Sequence, residues 1–235
     1  MDTLRQDLLF ALRLLRKDRA YACAVVLTLT LCLGANAAVF AVVQSVLLRP
    51  LPYPESDRLV VVYESFPGAG VERAGMSIPN HFDHEAMKDV FDSTALYQFD
   101  GVRLGDGPQA EGVPSMTVTP SFFRVLRATA ARGRLLAEAD GVPGHEHVVV
   151  LGHALAARQA AGLDHVVGTT VRLNNEVYTV VGVMPEGFSF LEPDRQVWRP
   201  TAFNPKDRSE DQRWSQNHDE IARLAPNVTV EQAHV

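Results

Sequence analysis

The chain has 235 residues, 46% of them hydrophobic and 21% charged, with a formal net charge of −6. That length makes one or two domains, and the composition is ordinary for a globular protein. The acidic balance excludes nucleic acid as a partner, because phosphate binding needs a basic surface.

Charge is uneven along the chain. Residues 1–19 hold five basic side chains (Arg5, Arg13, Arg16, Lys17, Arg19) and three acids (Asp2, Asp7, Asp18), so residues 20–235 carry −8. Leu4, Leu8, Ala11, Leu12 and Leu15 recur at helical spacing, which predicts an amphipathic helix over 1–19 lying on the inner membrane surface. From Ala20 to Leu48 there are 29 residues without a charge. As a helix this run is about 43 Å long, against about 30 Å of bilayer hydrocarbon, so it predicts a membrane span over 20–48 whose outer end emerges as a stalk. The basic residues precede the span, which places the N-terminus in the cytoplasm and residues 49–235 outside. Ala35-Asn36-Ala37 fits a signal-peptidase site, but the apolar run continues for about ten residues beyond it, and an uncleaved anchor is the better reading.

Both cysteines, Cys23 and Cys32, lie in this run. Nine residues apart on a helix they face opposite sides, so they form no disulfide framework, and no cysteine remains for a metal site. Gly34, Ala38, Ala41 and Ser45 fall on one helix face, the kind of face that lets membrane helices approach closely. Pro50 stops the helix at Arg49, and Pro52 and Pro54 follow. Gly34, Ala38, Ala41, Ser45, Arg49, Pro50 and Pro52 are therefore the candidate helix-packing and coupling residues.

Beyond the exit, Leu59–Tyr63 predicts a buried strand and "FPGAG" a loop. Ser77 with Pro79 marks a helix start, with Phe82, Met87 and Val90 inward. "TALYQFDGVRLGDGPQAEGV" predicts a hairpin with turns at Asp100-Gly101 and Gly105–Pro108. "MTVTPSFFRVL" reads as a strand, then a helix with Phe122, Phe123 and Leu126 inward. "HVVVLG" is a buried strand, "HALAARQAAG" a short helix capped by Gly162, and "TTVRLNNEVYTVVGVM" a hairpin turning at Asn174-Asn175. Strands and helices mix without strict alternation, so the fold class is α+β: one transmembrane helix followed by a mixed α+β outer domain.

No motif carries catalysis. The chain has neither a phosphate-binding G-x-x-x-x-G-K-[ST] loop nor a G-x-S-x-G elbow. His81, His84 and Glu85 in "HFDHE" sit at i, i+3 and i+4, but the pattern is not H-E-x-x-H and reads as a solvated helix face rather than a metal site. "HEH" at 145–147 reads as a polar strand edge. Asp100, Asp106 and Glu111 lie among glycines and read as turn chemistry.

At these residues the chain resembles a known family. "LTLCLGANAAVFAVVQSVLLRPLPYPESDRLV" resembles the first transmembrane helix and exit of MacB-type ABC transporter permeases, and is most similar to the acidobacterial duplicated orphan type. "VTPSFFRVL", "ARGRLL", "VVVLGHAL", "VVGTTVRLNNEVYTVVGVMPEGFSF" and "VWRP" resemble the family's periplasmic core domain in order and spacing. The resemblance implies an inner-membrane permease with further FtsX-like membrane helices. A separate ABC ATPase drives it, ATP being bound by that partner and no cofactor by this chain. It also implies a dimer or pseudo-dimer of permease halves, set in membrane lipid, that exports substrates or transmits force.

Departures are specific. Arg127 and Asn227 stand where the family usually has glycine, Ala130 where proline is common, Gly152 in a serine place and Leu155 in a tryptophan place. Asn227 tolerates left-handed geometry; the missing tryptophan bears on local packing. Thr229 and Gln232 have capping-box spacing, so a helix starts just where the chain stops. The expectation is a fragment, or truncated product, of a permease. The alternative is a stand-alone membrane-anchored periplasmic interaction module, and the third class, a metal-dependent hydrolase, rests on His81, His84 and Glu85 alone.

Overall fold

In the computed structural model the described residues are 6, 10, 17, 19–44, 51–159 and 162–233. The chain divides into two units, residues 1–51 and 52–235. In the first, α1 (Arg19–Val43) is a continuous helix. Its Arg19–Ala41 stretch is long and apolar enough to cross a membrane. Leu27, Leu31, Leu33, Val39 and Phe40 all point outward, and a helix that is apolar all round needs lipid or protein about it. Three of its polar side chains bond to their own backbone: Thr28 and Thr30 donate to the carbonyls of Ala24 and Val26 at 2.8 and 2.7 Å, and Asn36 to that of Cys32 at 3.0 Å. Such back-bonding lets a hydroxyl or amide sit in hydrocarbon without an orphaned donor. Most of the amphipathic helix expected over 1–19 lies outside the described residues.

The second unit is built on one mixed sheet. Its strands are β1 (Leu59–Val62), β4 (Phe91–Leu104), β5 (Glu111–Val118), β6 (Arg132–Gly133), β7 (Val148–Leu151), β8 (Thr170–Leu173), β9 (Glu176–Val183), β10 (Val197–Pro200) and β11 (Asp219–Leu224). A small hairpin of β2 (Glu64–Phe66) and β3 (Val71–Ala74) stands apart. The order is β1-β11-β4-β5-β10-β7-β9-β6, with β8 paired to β9 and, at Leu104–Leu173, to β4. Pairing is antiparallel except β5–β10 and β7–β9.

Three short helices cover this sheet. Under α3 (Phe122–Leu126), Phe122, Phe123 and Leu126 point inward as expected, onto Tyr97, Met116, Val118, Phe190 and Trp198. Under α4 (His153–Arg158), Leu155 and Ala156 meet Val149, Leu151, Val180 and Val197. Leu155 is thus fully packed where the family carries tryptophan. α2 (Ile78–Ala86) starts at Ser77, whose hydroxyl accepts from the amide of Asn80 at 3.3 Å, with Pro79 in its first turn; this is the predicted cap. Its Ile78 and Phe82 pack on Met76 and Leu96, and its His84 ring meets Phe91. Residues 93–97 of β4 are buried without a break, with Leu96 toward α2 and Ala95 and Tyr97 toward α3.

The structure corrects three expectations. β1 is an edge strand, paired only to β11 and half-exposed at Val61; its β-branched run reflects a half-buried surface, not a central position. No turn occurs at Asp100-Gly101, because those residues pair with Ser115 and Pro114 in one long ladder. The chain reverses after Leu104, where Gly105 and Gly107 take positive φ. α4 ends at Arg158 with Gln159 as its cap, short of Gly162. At 229–233 the capping exchange is present, Thr229 N to Gln232 Oε1 at 3.0 Å and Gln232 N to Thr229 Oγ1 at 3.3 Å, around a single turn. The Asn174-Asn175 turn is as predicted, with φ of 50° and 70°.

Candidate functional site

Gly34, Ala38 and Ala41 lie on α1 and are exposed; a Cβ built at Gly34 meets nothing within 4 Å. Ser45, Arg49 and Pro50 lie outside the described residues. Pro52 belongs to the second unit and leads into a segment, residues 52–58, that the sequence did not single out beyond its prolines.

This segment is fastened to three separate elements. The Tyr53 phenol donates to the carbonyl of Ser189, and burial pushes its pKa up to about 12, so it remains a donor. Together Pro52, Tyr53 and Pro54 line a cavity of about 360 Å³ with Arg127, Pro185 and Phe188. Arg223, on β11 and wholly buried, donates Nη1 to the carbonyl of Glu55 at 2.8 Å and Nε to that of Val125, in α3, at 2.9 Å. Arg58 donates to the carbonyl of Leu224, Nε at 3.0 Å and Nη2 at 2.5 Å. The carboxylate of Glu55, in turn, takes Arg127 on one oxygen and Arg58 on the other, and those two hydrogen bonds hold its pKa below the usual carboxylate range. One acid is thus shared by two arginines while a third grips the same residue's backbone. Residues 53–58 are thus bonded to β11, to the end of α3 and to the 185–189 loop.

Arg223 is the residue the sequence reading missed. Its only signal is a cation inside the apolar run of "DEIARLA", which a strand tolerates only where the head group has partners.

The departure at Arg127 also finds its reason here. Arg127 ends α3 in the left-handed region, φ 52°, which is where glycine is at ease. Asn227 does likewise at φ 67°. At position 127 the bond to Glu55 offsets only part of the strain. Arg127→Gly is therefore expected to raise thermal stability, by up to about 1 kcal/mol, since an exposed ion pair returns less than the left-handed backbone costs. The same change should speed amide exchange at Glu55–Arg58, and a loss of stability would contradict this balance.

The other polar groups resolve differently from the sequence reading. His81 and His84 do not form a solvated face: both turn inward to Glu220 of β11, and Glu85 is not part of the group. Among the described residues no three His, Cys, Asp or Glu side chains are grouped to hold a metal ion. Asp100 sits mid-strand, accepting from Thr117 at 2.9 Å and from Arg199, rather than in a turn. Asp106 pairs with Arg172 and Glu111 with Arg158. His147 stacks on Tyr178 at the start of β7.

Comparison with known proteins agrees with this architecture. The family model described as MacB-like periplasmic core domain matches residues 23–234. The periplasmic region of MacB from Actinobacillus actinomycetemcomitans is similar at 16% identity and a TM-score of 0.54, over 75% of this chain and 78% of that one. A domain of a putative permease protein from Porphyromonas gingivalis is similar at 16% identity and a TM-score of 0.53, over 77% and 78%. The extracellular domain of the noncanonic ABC-type transporter YknZ from Gram-positive bacteria is similar at 12% identity and 0.53, over 74% and 88%. At these identities the likenesses establish the fold. A comparison with curated proteins gives no match.

Proposed function

The chain belongs to the MacB-like periplasmic core domain family, and from that premise we propose that it is the anchor and outer domain of an ABC transporter permease that works by mechanical coupling. In this reading a separate ATPase binds and hydrolyses ATP in the cytoplasm, and this chain binds no nucleotide and catalyses no reaction. α1 sits in the inner membrane with its N-terminus cytoplasmic and residues 49–235 in the periplasm. Its small-residue face, Gly34, Ala38 and Ala41 continued by Ser45, packs on the permease's other membrane helices, and permease halves pair. Export of a substrate, or transmission of force to a partner, is the output.

The observation that carries the proposal is the fastening of residues 52–58 to three elements of the outer domain. A domain tethered for membrane attachment alone needs only a flexible leash. One that transmits movement needs a junction without slack.

The test is the distance between spin labels at Asn204 of two paired copies, with Cys23 and Cys32 replaced, in vesicles that also hold the ATPase. ATP with vanadate is expected to shift the distance distribution relative to nucleotide-free vesicles. Identical distributions in both states would sink the coupling reading and leave the anchored interaction module.

A further inference from the structure

The helix α2 is held to the sheet by an arrangement that no permease role requires. His81 and His84, one turn apart, each donate Nδ1–H to Glu220, at 2.5 Å to one carboxylate oxygen and 2.6 Å to the other. Glu220 has no exposed surface, His81 is 3% exposed and His84 20%. A carboxylate taken out of water is costly unless its charge is met. Two neutral imidazoles satisfy its lone pairs but leave one buried negative charge; one added proton makes the trio neutral.

His84 is the gate for that proton. His81 is sealed beneath α2, whereas His84 lines a groove of about 540 Å³ beside β1, together with Val60, Val62, Phe66 and Val230. Charges face this trio from every side. On α2 itself Asp83 is near, held by Arg213 of the 210–213 turn, which also binds Glu210. From β2 comes Glu64, bound to Asn80 and Gln216. Glu72 and Arg73 of β3 line the same groove. His218, just before β11, and Asp219, its first residue, add to these, while β4 presents the ring of Phe91 to His84 at 5.8 Å.

We propose that α2 is a proton-operated clasp: a proton held by His84 against Glu220 fastens the helix to β11, and its loss frees the helix and opens the groove beside β1. The outer domain would in this way respond to the pH of the compartment it faces.

The direction follows from the groups. Burial lowers the pKa of His84, but the hydrogen bond to Glu220 and the charges of Glu220, Glu64 and Asp83 outweigh it, and the net shift is upward. A histidine raised in the fold gives stability that is complete below its ordinary pKa and is lost as pH climbs through the raised value. His218 acts oppositely: burial and the neighbouring His81 lower it, so its contribution is lost as pH falls. The clasp therefore opens on the alkaline side.

The experiment is amide hydrogen exchange of the full chain in nanodiscs at about pH 6.5 and about pH 8.5, corrected for intrinsic rates. Protection of residues 78–86 is expected to fall with the rise, relative to the β5–β10 ladder, which a group raised in the fold predicts as pH climbs through its titration. His84→Asn keeps a donor for Glu220 without a titrating proton, and its α2 protection is expected to be flat with pH. Glu220→Gln removes the charge and is expected to behave likewise. Wild-type protection that does not change, or that falls equally in His84→Asn, overturns the clasp. Should Glu220→Gln fail to fold, the ring-nitrogen shifts of His84 in the wild type decide: a midpoint at or below the ordinary value of about 6.5 also overturns it.

Discussion

Gly182→Ala is expected to cost about 3 kcal/mol or more, enough to remove much of a typical domain's margin. The reason is backbone crowding, not conformational freedom. A Cβ at position 182 would lie 2.0 Å from the carbonyl oxygen of Arg134 and 2.9 Å from its carbon. Neither atom is free to withdraw, since β6 is laced to β9 on both sides: Ala131 N to Val183 O and Arg134 N to Val181 O, both at 2.8 Å. Gly133, directly opposite Gly182, takes φ +68° and would itself put a Cβ 2.3 Å from the oxygen of Val181. The two glycines let the strands lie face to face at the sheet's end. Urea unfolding followed by the fluorescence of buried Trp198, with exposed Trp214 replaced by Phe, measures the cost. Gly101→Ala is the control. Its nearest neighbour would be Val113 O at 3.9 Å, ordinary contact, so a change within about 0.5 kcal/mol is expected. Equal effects at the two sites would mean that β6 does not lie against β9 in this register.

What was legible in the sequence depended on whether a feature was local. Ser77 with Pro79, the inward Phe122, Phe123 and Leu126, and the Asn174-Asn175 reversal are each written within a few residues, because caps, helical spacing and left-handed turns are set by near neighbours. The membrane-length helix was equally plain. Register across the sheet was not. Asp100-Gly101 has the composition of a turn, yet Ser115 and Pro114 extend the ladder past it, a partner about fourteen residues away that no local signal announces. β1 read as buried because its run is apolar, and only pairing tells an edge from a middle. The two polar clusters depended still more on distance in sequence. Glu220 meets His81 and His84 from 139 and 136 residues away, and Arg223 reaches Glu55 from 168. A local pattern assigned the histidines to solvent; the charge that buries them lies on a strand near the other end of the chain.

That same distance makes Arg223 the severest test of the junction. Arg223→Met is expected to destabilise the outer domain by about 3 kcal/mol and to loosen residues 53–58 well beyond the domain average. Methionine fills much of the volume but donates nothing, so the carbonyls of Val125 and Glu55 lose charge-assisted bonds, each worth about 1.5–3 kcal/mol. Some of this is returned. Burial and the nearby Arg127 and Arg58 all depress the pKa of Arg223, so its charge is held at a cost that the substitution removes. The return is partial because the carbonyls stay behind; replacing a buried ion is neutral only when its partners leave with it. Arg58→Met provides the second arm, since Arg58 holds the same segment through Leu224 O. Two fasteners of one segment should not add: the double variant is expected to depart from the sum by at least about 0.5 kcal/mol. Amide exchange at Glu55–Arg58 reads the loosening directly, and denaturation reads the total. If Arg223→Met destabilises the domain while exchange at 55–58 stays at the domain average, Arg223 serves the core beneath α3 and the hold on the exit passes to Tyr53 and Arg58. If exchange rises there first, the path of force runs from Pro52 through the Glu55 carbonyl into β11, the strand that also carries Glu220 and the clasp on α2.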